Sequence, residues 1–145
     1  NFLFTIRISV DDFCDVGATP FGTRHIDMLG EGSFDGPKLR GVVIGGMDHK
    51  IFRADGAMNP NVRLVLKTDD EALIYMSYTG LRHGSKEVME RIASGEEVDP
   101  SEYYLRNTPY FETSAPQYDW INRIVSVGIG RRMPEFAAYD IFEIL

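Results

Sequence analysis

The chain has 145 residues, of which 43% are hydrophobic and 26% are charged, and its formal net charge at pH 7 is −7. This length and balance predict one globular domain over residues 1–145 with a single hydrophobic core. The acidic charge argues against nucleic acid and anionic membranes as partners, because phosphate groups attract basic patches.

Further limits come from the ends and from the cysteine content. No apolar run is long enough to cross a bilayer, and no signal-peptide pattern opens the chain, although we expect native residues to precede Asn1. The lone Cys14 rules out an internal disulfide framework and favours the cytoplasm as the compartment.

Alternation of apolar and polar residues runs through the chain and predicts β-strands. Phe2–Val10 places its large apolar side chains on one face, and Asn61–Thr68 repeats the pattern. One helix is predicted, from an N-cap at Ser85 to a terminating Gly95. The other predicted strands, in chain order, are Phe21–Leu29, Lys38–Gly45, Met47–Ala54, Ala72–Thr79, Glu102–Glu112, Tyr118–Arg131 and Glu135–Leu145.

These elements favour a mostly β fold, namely a closed or nearly closed antiparallel β-barrel of about eight to nine strands with one short helix. A β-sandwich is the alternative. A barrel of this size leaves an interior for side chains or one small ligand, so inward polar residues become candidates for a site. Strands that are apolar on both faces, as in Ala72–Met76 and Ile121–Ile129, predict a covered outer face and hence a homo-oligomer.

Asp48 and His49 interrupt an apolar strand directly after the pair Gly45-Gly46. If the alternation runs straight through the glycines, Asp48 shares a face with Val42 and Ile44, whereas a bulge at the glycines would exchange the faces. A buried carboxylate needs a partner. We therefore expect Asp48 at the inner wall, as a catalytic group or as part of a structural pair, and His49 as a substrate-binding residue.

Arg24 shares one face of its predicted strand with Ile26 and Met28. This is an unusual setting for an arginine unless a carboxylate or an anionic ligand contacts it. A pair between Arg24 and Asp48 would satisfy both, either as a core ion pair or as a catalytic one. His25 falls on the opposite face. It is a candidate substrate-binding residue that can exchange a proton near neutral pH.

Aromatic and polar side chains are densest over Tyr104–Arg123, a composition typical of small-molecule pockets, or of an aromatic core whose polar tips bond to loops. Within this segment Glu112 is a candidate general base if burial raises its pKa. Arg106 is a candidate to hold an anionic or carbonyl oxygen. The candidate substrate-binding residues are Tyr104, Tyr118, Trp120 and Asn122.

No motif predicts a metal ion or a cofactor. The three histidines follow no known ligand spacing, and Gly30–Pro37 lacks the Lys-Ser/Thr and the helix that a phosphate-binding loop requires. Cys14 has no positioned histidine partner, which argues against cysteine chemistry. We therefore expect no metal and no cofactor.

Three segments in order, GTRHIDMLGEGSFDGPKLRGVVIGGMDH, RLVLKTDDEALIYMSYTG and YYLRNTPYFETSAPQYDWINRIVSVGIGRR, resemble the bacterial and fungal family called domain of unknown function 3237. The resemblance spans about Phe4 to Leu145 and implies a compact β-barrel, similar in appearance to lipocalins and allene oxide cyclases. It leaves the activity open. Members of the family usually carry tryptophan where this chain has His49, so the resemblance implies no family-wide role for that histidine.

The sequence therefore favours a cofactor-independent isomerase, cyclase or lyase that acts on a small hydrophobic, oxygenated or aromatic metabolite inside the barrel. Asp48 or Glu112 would move a proton, while Arg24 or Arg106 would hold an anionic or carbonyl oxygen. One alternative is a non-catalytic carrier or sensor of lipocalin type. A structural oligomerisation module, with a lumen filled by side chains, is another.

Overall fold

The computed structural model describes residues 1–145. Its strands are β1 (Phe2–Thr19), β2 (Gly22–Asp35), β3 (Arg40–Phe52), β4 (Met58–Asn59), β5 (Asn61–Thr68), β6 (Leu73–Gly84), β7 (Tyr103–Glu112), β8 (Val125–Arg132) and β9 (Phe136–Ile144). The helices are α1 (Lys86–Ala93) and the 3-10 helices Pro100–Glu102 and Pro116–Arg123. No helix has the length and apolar character needed to cross a membrane.

Eight of the strands form a closed antiparallel barrel, in the order β1, β2, β3, β5, β6, β7, β8 and β9, and the ring closes where β9 pairs with β1. The two-residue strand β4 bridges β3 and β6 at one end. The predicted mostly β closed barrel is confirmed, and the sandwich is not formed. Closure matters for function because it brings residues that are distant in sequence to face each other across one lumen.

A bulge in β3 decides which side chains enter that lumen. The pairing of β3 with β5 shifts register between Val43 and Gly45, and Gly45 adopts a φ of +151°. Before the bulge, Val43 is buried, whereas Val42 and Ile44 are each more than half exposed. Beyond the bulge the faces are exchanged and Asp48 points inward. The two predicted segments Lys38–Gly45 and Met47–Ala54 are therefore one bulged strand.

The predicted strand Tyr118–Arg131 is wrong in its first half, which forms the 3-10 helix Pro116–Arg123. Proline suits the first position of a helix, because that position needs no N–H donor. The Asn122 side chain ties the helix to the end of β7 by accepting from the Thr113 N–H at 2.8 Å. Ile121, only 1% exposed, belongs to the barrel core, so this segment covers one end of the barrel.

The apolar core surrounds Phe4, whose ring makes edge-to-face contacts with Phe34 and Phe111 at centroid distances of 5.5 and 5.8 Å. We call the end of the barrel that this core fills the closed end. The inner face becomes polar toward the opposite, open end, near α1 and the turn before β4. The closed end stabilises the fold, and the open end has room for a ligand.

The outer face of β8 carries apolar side chains that are exposed to solvent, although most outward-facing positions of a monomeric barrel are polar. Val125, Val127 and Ile129 are 63%, 37% and 44% exposed. Pairing places Val127 opposite Phe142 of β9, whose ring contacts that of Phe2 on β1. An apolar stripe therefore crosses three strands on the outside of the barrel.

Candidate functional site

Five charged side chains from four strands line the lumen toward the open end: Asp27, Asp48, Lys50, Arg82 and Arg132. They surround a narrow inner pocket of about 40 Å³, which is room for roughly three waters. This inner pocket opens into an outer chamber of about 860 Å³, and the walls common to both include Asp27, Lys50, Arg82 and Arg132. The chamber is within the size range of small-molecule sites.

Asp48 lies in the inner pocket with only 9% of its surface exposed. Its Oδ1 accepts one hydrogen bond, from the backbone N–H of Asn61 at 3.0 Å. Burial raises the pKa of Asp48 above its ordinary value, and the Asn61 bond and the nearby Lys50 only partly oppose this effect. A carboxyl group in this setting can hold and release a proton closer to neutral pH.

Asp27 is the cross-strand neighbour of Asp48 and is 3% exposed, but its carboxylate is bound on both oxygens. Its Oδ2 lies 2.7 Å from Nζ of Lys50, and its Oδ1 lies 3.1 Å from Nδ1 of His25. The second contact orients the imidazole and leaves Nε2 as the nitrogen that can exchange a proton with a ligand. The His25 ring also stacks on Phe13, with centroids 4.7 Å apart, in the wall of the outer chamber.

Two arginines complete the polar wall. Arg82 is 7% exposed, and its Nε is buried without a hydrogen-bond partner. Arg132 has a buried Nη1 in the same condition, and its backbone N–H donates to the Tyr103 hydroxyl at 2.8 Å. Burial lowers the pKa of Arg82, and the charge of Arg132 lowers it further.

Two tyrosines, Tyr78 and Tyr139, line the inner pocket with ring centroids 5.3 Å apart. Burial raises the pKa of both hydroxyls above their ordinary value, and the charge of Asp48 raises them further. Both hydroxyls are therefore neutral at physiological pH. They can serve a ligand as hydrogen-bond donors.

The predicted pair of Arg24 and Asp48 is wrong. Arg24 lies on the other face of the sheet, where its Nη1 donates to the carbonyl of His49 at 2.8 Å. Neither Arg24 nor His49 lines the inner pocket or the outer chamber. The β3 bulge and the alternation along β2 place Arg24 and His49 on the face opposite Asp48. The same alternation places His25 on the face that carries Asp48.

The predicted residues of Tyr104–Arg123 also lie away from both cavities. Arg106 stacks its guanidinium on the outer Tyr104 ring at 4.8 Å, and Glu112 is exposed at the outer face of β7. The other three serve contacts near the closed end: Tyr118 donates to Asp70, Trp120 lies under Lys38, and Asn122 bonds Thr113. The structure does not join Arg106 or Glu112 to Asp48, so any role of theirs in binding or catalysis stays a separate prediction.

Sequence reasoning missed most of the polar wall. Asp27 and Lys50 could have been found from the period of two along each strand. Once the bulge is placed, Asp27 shares the inner face with His25, and Lys50 shares it with Asp48. No local pattern links Arg82 to Arg132, because they lie on β6 and β8 and come together through the pairing of both strands with β7. The residues missed are Asp27, Lys50, Arg82, Arg132, Tyr78 and Tyr139. No group of three or more His, Cys, Asp or Glu side chains is arranged to hold a metal ion.

Comparison with known proteins places the chain in a family. Residues 1–144 match the model described as a protein of unknown function (DUF3237), and the chain belongs to that family. A UPF0311 protein of Clostridium acetobutylicum is 35% identical over 144 residues, which cover 98% of this chain and 91% of the relative. A UPF0311 protein of Rhodopseudomonas palustris is 30% identical over 146 residues, covering 100% of this chain and 95% of that protein.

Solved structures show the same barrel. A conserved protein of unknown function from Rhodopseudomonas palustris has a TM-score of 0.96 at 30% identity, with 100% of this chain and 96% of that chain covered. A β-barrel-like protein from Acinetobacter baumannii has a TM-score of 0.86 at 35% identity, covering 99% and 93%. A protein from Penicillium herquei that is described as an enzyme has a TM-score of 0.71 at 19% identity, covering 98% and 92%, and shares the fold.

Proposed function

We propose that this member of the DUF3237 family is a cofactor-independent isomerase, cyclase or lyase that moves protons on a small hydrophobic, oxygenated or aromatic metabolite bound in the barrel. One observation carries the proposal. Asp48 is a buried carboxyl group with a raised pKa, and it faces a pocket that a ligand can reach from the outer chamber. Buried titratable groups of this kind are frequent in active sites.

His25 supplies a second proton-handling group. It is paired across the sheet with Lys50, so Asp48 lies diagonally from it on the inner face, at roughly 7–8 Å between Cα atoms. Asp27 fixes the imidazole through Nδ1, as acidic residues do for catalytic histidines. A ligand between the two groups can give a proton to one and take a proton from the other.

The cations of the inner pocket can stabilise the negative charge that develops on the substrate. Proton removal next to a carbonyl leaves charge on the oxygen, and fixed donors in a water-poor pocket stabilise such an oxyanion. Lys50, Arg82 and Arg132 surround the inner pocket, with the Tyr78 and Tyr139 hydroxyls beside them. We propose that these residues, and not Arg24 or Arg106, hold the anionic or carbonyl oxygen of the substrate.

The outer chamber suits the apolar body of the metabolite. Phe13, Phe52 and Met89 contribute to its walls. Aromatic and thioether side chains of this kind bind flat hydrophobic groups without demanding one shape. The description of the Penicillium herquei protein as an enzyme supports catalysis on this fold.

The rival function is a carrier, which needs the chamber but no titratable group. Proton exchange separates the two. Carbonyl-bearing aromatic compounds are incubated with the protein in D₂O, and loss of carbon-bound hydrogen is followed by ¹H NMR. We expect exchange for at least one compound, with about a hundredfold loss of rate in Asp48→Asn and none in His83→Gln, whose imidazole stacks on Tyr104 outside the cavities. Binding without exchange would identify a carrier.

We also propose that a second copy of the chain covers the outer stripe of Val125, Val127, Ile129, Phe142 and Phe2. The stripe is apolar across three adjacent strands, and α1 contacts β6 instead of covering it. Two identical stripes are self-complementary around a two-fold axis. The protein is therefore proposed to be a homo-oligomer.

A further inference from the structure

We propose that the inner pocket binds the carboxylate of a monoanionic ligand between Arg82 and Arg132. The inference deepens the proposed function by naming the substrate class, and in that respect rests on it. As a statement about binding it can be tested without any turnover.

Two buried guanidinium donors in the inner pocket have no hydrogen-bond partner. Nε of Arg82 and Nη1 of Arg132 are buried and make no hydrogen bond, and both residues line the inner pocket. Burying an N–H of a charged group without an acceptor is costly. Asn107 is the other residue with such atoms, and it lines neither the inner pocket nor the outer chamber. The unpartnered cationic donors are thus concentrated where a ligand can enter.

No carboxylate of the protein is bonded to these arginines, although the charge of Asp48 is near enough to act on Arg82. Asp27 is engaged by Lys50 and His25, and Oδ1 of Asp48 accepts from Asn61. Neither Arg82 nor Arg132 forms an ion pair, although the adjacent Arg131 does so with Asp140 at 2.9 Å. Two guanidinium groups in one buried pocket repel each other unless an anion bridges them.

The size of the inner pocket matches that of a carboxylate group. The inner pocket holds roughly three water-sized atoms, and a carboxylate has three heavy atoms. The inner pocket is too small for an aromatic ring, whereas the outer chamber of about 860 Å³ has room for one. The ligand therefore enters with its carboxylate leading and keeps its apolar body among the chamber walls, beside Phe13 and Phe52.

The cationic side chains of the inner pocket outnumber its carboxyl groups. Three cationic side chains, Lys50, Arg82 and Arg132, face two carboxyl groups, Asp27 and Asp48, in the inner pocket. With both carboxyl groups ionised the excess is one positive charge, which a single carboxylate neutralises. A bidentate carboxylate also suits guanidinium donors geometrically.

Benzoate is the probe, and benzamide is its neutral control of the same shape. Binding is followed by ¹H–¹⁵N NMR titration and by the melting temperature. We expect benzoate to shift the amide signals around Arg132 and Tyr103 and to raise the melting temperature, and benzamide to do neither. Arg132→Gln should weaken benzoate binding by at least about tenfold. The matched control Arg131→Gln should leave it unchanged.

The result is decisive in each direction. Absence of benzoate-induced shifts in the inner pocket, equal binding of benzamide, or equal loss in Arg131→Gln and Arg132→Gln would overturn the carboxylate site. If Arg132→Gln does not fold, Arg82→Lys and the comparison of benzoate with benzamide on the unaltered protein still decide. Asp48→Asn should bind benzoate at least as tightly as the wild type, because it removes a negative charge from the inner pocket. Exchange activity without benzoate binding would leave the proposed function standing with a neutral substrate.

Discussion

Asp27 and Asp48 lie directly opposite each other on β2 and β3 inside the barrel, yet their carboxyl groups have different partners. Asp27 is held by Lys50 and His25, whereas Asp48 receives one backbone N–H and is otherwise desolvated. Enzymes that use two carboxyl groups separate their tasks by such differences in environment. We assign orientation of His25 to Asp27 and proton transfer to Asp48.

The Asp48→Asn variant should be more stable than the wild type at neutral pH. Because burial raises the folded-state pKa of Asp48, its stabilising contribution is present below the unfolded pKa of about 3.9 and is lost as pH rises through the folded pKa. Asparagine keeps the oxygen that accepts from Asn61 without adding a charge. The expected gain is about 1.4 kcal/mol for each pH unit between the two pKa values.

Melting temperature as a function of pH measures this effect. The variant and the wild type should converge near pH 3 and diverge as the pH rises, by roughly 3–4 °C per kcal/mol. A variant that is less stable than the wild type at every pH would mean that Asp48 is a structural residue.

Asp27→Asn should destabilise the protein by roughly 2–4 kcal/mol, because it leaves the largely buried Lys50 ammonium without its partner. Adding Lys50→Met should recover part of the loss, since the unpaired charge is then gone as well. Urea denaturation of the two single variants and the double variant gives the coupling energy. Strictly additive effects would show that the ion pair contributes nothing.

Gly46→Ala should destabilise the barrel by roughly 2–4 kcal/mol. A Cβ at this position would overlap the backbone carbonyl of Arg63 on β5, so β3 and β5 would have to separate beside Asp48. Gly56→Ala is the control: its φ is +87° but its Cβ would meet open space, and the expected cost is about 1–2 kcal/mol. Equal unfolding free energies for the two variants would refute the steric explanation.

Val127→Glu should convert an oligomer into monomers, because it places a charge in the middle of the outer apolar stripe. Light scattering coupled to size-exclusion chromatography gives the mass of each form. Val42→Glu, at an exposed apolar position on β3, should leave the mass unchanged. A monomeric wild type would contradict the proposed assembly.

The fold was predictable from sequence because period-2 alternation is a local property of each strand. The position of Asp48 was predictable only as one of two alternatives, since the register depends on whether Gly45 forms a bulge, and its φ of +151° is settled by pairing with β5. Tyr118 and Trp120 misled the strand prediction because their alternation coincides with that of a strand, although they lie on a 3-10 helix.

Two of the three cations of the site, Arg82 and Arg132, could not be joined by local patterns. Arg82 lies on β6 and Arg132 on β8, and neither has a neighbour in sequence that suggests a pocket. They come together because β7 holds the two strands in one ring and because both point into the lumen. Pairing of β6 and β8 with β7, and not spacing along the chain, creates this part of the site.

The proposed proton transfer by Asp48 is tested by the pKa of its carboxyl group. A ¹³C NMR titration of the folded protein measures it, with the signal assigned by its absence in Asp48→Asn. We expect a midpoint clearly above the ordinary aspartate value of about 3.9, at a pH where the protein is still folded. A midpoint at or below that value would mean that Asp48 is a plain carboxylate at neutral pH, and it would contradict the proposed role in proton transfer.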